Sequence, residues 1–197
     1  MKVIITNWKQ ASSGCKAWPA QHILRAESFI DRLAYDQKSM GQVRKHQGWE
    51  YDQYDTPEAE YVVVLKDGVA IACCRLINCT SATMAYDHWI EQTSTISIKP
   101  ARLIEASRIC TAKNLPPPER QKALDLLIQN VLKRASEQAV THLLGVMHPV
   151  IMKALLAQRR VPFSVAAEWI VDQQRCIIGL INVNEALGKF KPIFEDM

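Results

Sequence analysis

No stretch of this chain reaches the roughly 18 uninterrupted apolar residues that a helical bilayer span requires. The N-terminal segment MKVIITNWKQ breaks its short apolar run at Asn7, Lys9 and Gln10, so it lacks a secretory core, and the reading is a cytoplasmic protein with no membrane partner. The six cysteines (15, 73, 74, 79, 110 and 176) form no CxxC pair and have no spaced histidine partners, which argues against a zinc site and against a secreted disulfide framework. Cys73 and Cys74 lie in an apolar, strand-like run where cysteine serves as a small buried hydrophobe, and all six read as reduced and structural. The five histidines (22, 46, 88, 142 and 148) stand at no metal-ligand spacing, so no metal is expected, and no Ser-His-Asp arrangement can be argued from their order. Lys/Arg-rich runs interleaved with aromatics are missing as well, which excludes a nucleic-acid groove. There is no internal repeat and no low-complexity segment.

What is present suits one sizeable domain over residues 1–197. Hydrophobic content is 48%, charged content 22% and net charge +4, the composition of a folded, water-soluble enzyme or binding domain. The charge is uneven, because residues 99–197 hold 14 of the 24 basic but only 9 of the 20 acidic side chains. That asymmetry fits an acidic protein partner, or simply a solvated surface.

Apolar spacing predicts an amphipathic helix over 20–35, with Arg25, Phe29 and Arg32 near one edge of its buried stripe. Residues 36–58 are polar and aperiodic and read as a long loop. The run EYVVVLKDGVAIACCRLI is two strands joined at Asp67-Gly68, a strong hairpin signal. A short helix follows near 84–90, then a strand over 102–110 and a helix from Pro118 to about Gln138. The remainder reads strand (142–147), helix (150–158) and two strands (165–172 and 175–183). This order predicts an α/β fold: a mixed twisted sheet flanked by helices in a three-layer sandwich.

The segment GWEYDQYD, residues 48–55, crowds three carboxylates and three aromatics into eight positions. Glu50, Asp52 and Asp55 in this loop, Arg25 on the first helix, Arg75 at the hairpin's end, and Glu105 with Arg108 on the next strand could converge into one network of opposite charges. The alternative is scattered surface charge. On a regular strand Glu105 and Arg108, three residues apart, point to opposite faces, so only a bulge lets both reach one cleft.

The ordered set Arg25-x3-Phe29, Glu50-x-Asp52-x-Tyr54-Asp55, Arg75 and Glu105-x-Ser107-Arg108 resembles the acyl-homoserine lactone synthases, the autoinducer synthases of bacterial quorum sensing, well over residues 25–109 and loosely beyond. The resemblance implies acyl transfer from acyl carrier protein to the amine of S-adenosylmethionine, then lactonisation and release of methylthioadenosine. It implies Glu105 as the base, directly or through a water, with Ser107 and Arg108 beside it, and Arg25, Phe29, Tyr35, Asp52, Asp55 and Arg75 around the donor. S-adenosylmethionine would then be a substrate, with no cofactor. Electrostatic anchoring is the rival role for Glu105. The chain departs from the family's usual pattern at Tyr35, where a Trp is usual, at Ile109, where an aromatic is usual, and in a longer segment before the acidic cluster.

The family's fold resembles that of the N-acetyltransferases using acetyl-coenzyme A, and such an enzyme is the alternative reading. Those enzymes cradle a pyrophosphate on the N–H groups of a Gly-rich turn; the matching segment here, TAKNLPPPERQKA, has no glycine and three prolines that donate no N–H. That favours acyl carrier protein, with acyl-coenzyme A still possible. Lys153, Arg159 and Arg160, with Arg120, Lys122, Lys133 and Arg134, are candidate contacts to an acidic carrier. Leu144, Val146, Met147, Met152, Leu155 and Trp169 are candidates to line an acyl pocket, or core. A Thr that commonly accompanies 3-oxo chains is missing near Gly145 and Val146, which points weakly to a chain without that oxygen. A third reading is a non-catalytic relative that binds donor or carrier.

Overall fold

The computed structural model describes residues 1–34, 43–171 and 173–194. Its strands follow the order β1-β4-β5-β6-β7-β9-β8 in a seven-stranded mixed sheet, beside a small β2-β3 ribbon. The chain divides into two compact units, Met1–Leu76 with Arg108–Leu127, and Ile77–Ser107 with Ile128–Met197.

The first unit begins with β1 (Lys2–Asn7), antiparallel to β4 (Glu60–Lys66). The sequence reading had no strand there, because β1 is short and half-exposed and lacks alternation. Asn7 caps α1 (Trp8–Ser12) by accepting from the Gln10 amide at 3.2 Å. The predicted helix over 20–35 is α2 (Ala17–Arg25), continued by a π-helical segment, Ala26–Arg32. This wider winding rotates Phe29 and Ile30 into the interior, where both are buried. Residues 36–58 are not one long loop, since β2 (Arg44–His46) and β3 (Trp49–Tyr51) form a tight hairpin. Gln47 and Gly48 both take positive φ, 51° and 82°, as a two-residue hairpin turn demands. Asp67 and Gly68 do the same, at 52° and 81°, between β4 and β5 (Val69–Asn78), as their sequence foretold.

The second unit carries α3 (Met84–His88) and α4 (Ile90–Thr93), then the first half of β6 (Leu103–Thr111). Along α5 (Pro117–Glu137) the chain crosses between the two units. The second unit continues with β7 (His142–Met147), α6 (Pro149–Leu156), β8 (Ser164–Val171), β9 (Gln174–Asn182) and α7 (Val183–Lys189). β6 and β7 run parallel, whereas β7-β9 and β9-β8 are antiparallel. α6 packs on β9, where Gly179 faces its cross-strand partner Gly145 and the Met152 thioether lies over both. A Cβ at Gly179 would stand 2.5 Å from Met152 Cε, so the glycine admits that side chain.

Among the described residues no helix is long and apolar enough to cross a membrane. The core is aliphatic, and Leu132 on α5 is 1% exposed. Leu132→Ala should therefore lower the unfolding free energy by about 2–5 kcal/mol, read as a lower urea midpoint at unchanged slope.

Candidate active site

Six charged side chains of the first unit close a ring in which acid and base alternate. Arg25 pairs with Glu50 and, bidentately at 2.7 Å for each bond, with Asp55. Arg75 bridges Asp55 at 3.1 Å and Asp52 at 2.5 Å. Arg108 returns from Asp52 at 2.6 Å to Glu50 at 2.9 Å. Each guanidinium also faces an aromatic ring: Arg25 lies 5.9 Å from the Tyr61 centroid, Arg75 5.8 Å from Tyr54 and Arg108 5.3 Å from Phe29. Tyr61 donates its hydroxyl to Asp55 at 2.7 Å, and the amides of Asp52 and Tyr54 donate to Asp55 and Asp52.

Arg25, Arg75 and Glu50 are 0% exposed, so the ring is a buried, neutral assembly. Burial raises the Asp55 carboxyl, but the guanidiniums of Arg25 and Arg75 outweigh it and hold the group well below the usual carboxylate range. Asp52 is likewise lowered, by Arg75 and Arg108 against burial. Burial works against the Arg25 cation, yet Asp55 and Glu50 keep it well above its usual value. The acidic loop is therefore answered by the protein's own arginines, and its three carboxylates are not free to meet a cation.

β6 supplies Arg108 through a local irregularity. Arg108 has φ 54°, left-handed for a non-glycine, at a cost of about 1–2 kcal/mol. Glu105, Ser107 and Arg108 are all buried, at 1%, 7% and 8% exposed.

Glu105 differs from the ring carboxylates. It belongs to the second unit, where its Oε2 accepts from the Ala85 amide at 2.8 Å. Its Oε1 is buried and has no hydrogen-bond partner among the described residues. Cys79, 6% exposed, has its thiol pushed up to about 12 by burial and by the Glu105 charge, and so stays protonated.

Of the remaining candidates, Tyr35 lies outside the described residues. Met152 is fully buried at 1%, while Val146, Met147, Leu155 and Trp169 are half-buried within the second unit. Trp169 packs on Trp89 at 5.4 Å. Arg159, read from sequence as a surface charge, is 0% exposed and donates to the Leu155 carbonyl at 2.8 Å, which removes it from any docking surface. Arg160, Lys153, Lys122 and Lys133 are exposed. No group of three or more His, Cys, Asp or Glu among the described residues could hold a metal ion.

Sequence reasoning missed Tyr61 and His22. Simple counting from the Asp67-Gly68 turn sets Tyr61 opposite Cys74, but a bulge between Val64 and Leu65 sets it opposite Arg75. His22 stacks on Trp49 at 5.5 Å, and its Nδ1 donates to the Glu50 carbonyl at 2.8 Å. Its helical spacing from Arg25 was the available signal.

The fold is that of an acyltransferase-like scaffold, and its first unit holds a buried arginine-carboxylate ring. The autoinducer synthase family model matches residues 15–186, and the chain belongs to that family. The structure resembles the acyl-homoserine lactone synthase LasI at 16% identity and TM-score 0.76, over 100% of this chain and 98% of that one. TofI in a ternary complex with an inhibitor and MTA is similar at 16% identity and TM-score 0.75, covering 98% of each chain. MesI, a CoA-dependent acyl-homoserine lactone synthase, is similar at 15% identity and TM-score 0.76, over 95% of this chain and 92% of that one. An acyl-CoA N-acyltransferase from Pseudomonas aeruginosa shares the fold at 14% identity and TM-score 0.57, over 91% and 99%. No curated protein matches the chain.

Two outcomes follow for the ring and its neighbour. Arg75→Met leaves Asp52 and Asp55 each with one arginine and the buried ring one positive charge short, and should cost about 3–5 kcal/mol in urea unfolding. His22 is lowered to about 4, first by burial and then by the Arg25 cation, so the unfolded chain binds a proton that the folded one refuses. Stability should be level above about pH 6.5 and fall by up to about 3 kcal/mol as pH drops from 6.5 towards 4, with His22→Gln removing that slope. Asp52 and Asp55 have lowered values, so their contribution is full above their ordinary titration range and is lost below it; that acid limb should survive in His22→Gln.

Proposed function

We propose that this chain makes an N-acyl-homoserine lactone from S-adenosylmethionine and an acyl thioester carried on acyl carrier protein. The observation that carries the reading is the division among buried carboxylates: three are consumed by arginines, and Glu105, outside the ring, keeps an oxygen without a partner among the described residues.

An α-ammonium is not a nucleophile until it loses a proton. Glu105 Oε1 accepts that proton, directly or through a water, while the electron pair stays on nitrogen and attacks the thioester carbonyl. The thiol of the carrier's pantetheine arm leaves. The methionine carboxylate then displaces the sulfonium at Cγ, closing the lactone and releasing methylthioadenosine. Arg25, Phe29, Asp52, Asp55 and Arg75 are read as the donor-binding set, and Glu105, with Ser107 and Arg108 on the same strand, as the catalytic set. S-adenosylmethionine is a substrate, and the reaction takes no cofactor.

Support for a carrier protein over coenzyme A lies at the start of α5. Pro117 and Pro118 offer no N–H, and Glu119 places a carboxylate in the first turn, bonded to Lys66 at 2.7 Å. Arg120 caps the Lys113 and Leu115 carbonyls at 2.9 and 3.1 Å and so closes the preceding turn on itself. With two prolines in its first turn, α5 offers a pyrophosphate fewer amides than coenzyme A-binding folds present. The exposed Lys153 and Arg160, beside Val150 and Ile151 at 67% and 59% exposed, suit an acidic carrier with an apolar seam. The acyl chain itself is read as passing Met147, Met152 and Trp169, without a 3-oxo group.

The test is a mass-spectrometric assay of the purified protein with S-adenosylmethionine and panels of acyl carrier protein and acyl-coenzyme A thioesters. Lactone and methylthioadenosine in equal amounts, with the carrier panel favoured by kcat/KM, is the expected result; acetylated products or silence from folded protein would overturn the reading. Glu105→Gln should lower turnover by roughly 100-fold or more with little change in S-adenosylmethionine affinity. Reversing Lys153 and Arg160 together should raise KM for the carrier by about tenfold and leave KM for S-adenosylmethionine unchanged.

A further inference from the structure

Resting on that function, we infer that the Ala85 amide, presented by the Thr83 cap of α3, is the positioning group for Glu105: it holds Oε2 and thereby assigns proton acceptance to Oε1. The Ala85 N–H lies 2.8 Å from Oε2, and both residues are essentially inaccessible, at 0% and 1% exposed. A carboxylate on a flexible two-carbon stem samples many orientations, and one amide on one oxygen removes most of that freedom.

The amide is itself fixed from both ends. Upstream, the Cys79 amide donates to the Leu103 carbonyl at 3.0 Å, tying the start of the segment to β6 two residues before Glu105. Thr83, 0% exposed and extended at φ −133° and ψ 156°, caps α3 by accepting from the Tyr86 amide at 3.4 Å, and its own carbonyl accepts from Asp87 at 3.0 Å. Downstream, the Trp89 amide closes on the Ala85 carbonyl at 3.0 Å, and its ring is anchored on Trp169. The neighbouring Cys79 thiol stays neutral and adds no competing charge. α3 is too short to persist by its own propensity, so these ties, rather than helix stability, set where the amide points. Nothing in the local sequence SATMAYDHW marks it as part of an active site, because the functional atom is a backbone nitrogen.

The decisive variant is Ala85→Pro, which deletes that N–H. Position 85 is in the first turn, where a proline forfeits no helical hydrogen bond. Thr83→Val removes the cap by a second route, and Thr83→Ser restores it. All are compared with wild type for melting temperature, for S-adenosylmethionine Kd by calorimetry, and for kcat and KM. Ala85→Pro should melt within a few degrees of wild type and bind S-adenosylmethionine within about twofold, with kcat lowered about 10- to 100-fold. Thr83→Val should show the same split in smaller degree, and Thr83→Ser should recover it.

A folded Ala85→Pro enzyme with wild-type kcat overturns the positioning role. So does a loss of kcat matched by an equal loss of S-adenosylmethionine affinity, the mark of a merely structural residue. Should Ala85→Pro fail to fold, the Thr83→Val and Thr83→Ser pair decides by the same split. A wild-type protein that makes no lactone removes the underlying function and this inference with it, an outcome distinct from active wild type with an equally active variant.

Discussion

The structure of the first unit depends on a closed circuit of six charges. Removing a guanidinium or carboxylate from water costs several kcal/mol, and a single buried pair barely recovers it. A ring does better, because every arginine here meets two carboxylates and every carboxylate two arginines, so no charge is left half-compensated. Ordering each side chain serves two bonds rather than one, which spreads its entropic cost. The members come from α2, the ribbon strand β3, the turn after it, β5 and β6, so the circuit also fixes where those elements cross. Such an assembly is bought for geometry: an apolar core of equal volume would be as stable, but would not hold three planar guanidiniums each against an aromatic face.

Strain elsewhere follows from that requirement. Arg108 reaches the ring from β6 with a left-handed backbone. The π-helical winding of Ala26–Arg32 has a similar logic, since it carries Phe29 to the Arg108 guanidinium from a helix whose earlier turn already presents Arg25. Both irregularities are costly in isolation and persist because the ring and its aromatic faces over-determine them.

These irregularities also explain how much was legible beforehand. Strong local chemistry was readable: Asp67-Gly68 gave its turn, the proline run its helix start, expected at Pro118 and found at Pro117, and β7 its bounds at His142 and Met147. The ring's six charged residues were readable as a set, although Glu105, grouped with them, pairs with the Ala85 amide instead. Hidden were the features set by tertiary context. β1 is a weak strand made by pairing with β4. The hairpin around Gln47-Gly48 lacked the usual Asn or Asp, and so its flanks passed for loop. Arg159 looked like surface charge because sequence does not show that a 3-10 turn, Ala157–Arg159, folds it inward. The bulge in β5 moved Arg75 opposite Tyr61, a shift of one residue that reverses which face each side chain takes.

The ring's neutrality has a chemical consequence for the carboxylate that stands outside it. Had any of Glu50, Asp52 or Asp55 been left unpaired, it would stand as an uncompensated charge in a buried setting. With all three committed to arginines, the acid-base role proposed above rests on Glu105, whose partner is a neutral amide. An amide orients Glu105 without supplying the full positive charge that a guanidinium would, so Oε2 is held while Oε1 keeps no partner among the described residues. Thus the same arginines that tie the first unit together also engage every carboxylate of its acidic segment, and the proton acceptor proposed here comes from outside that segment.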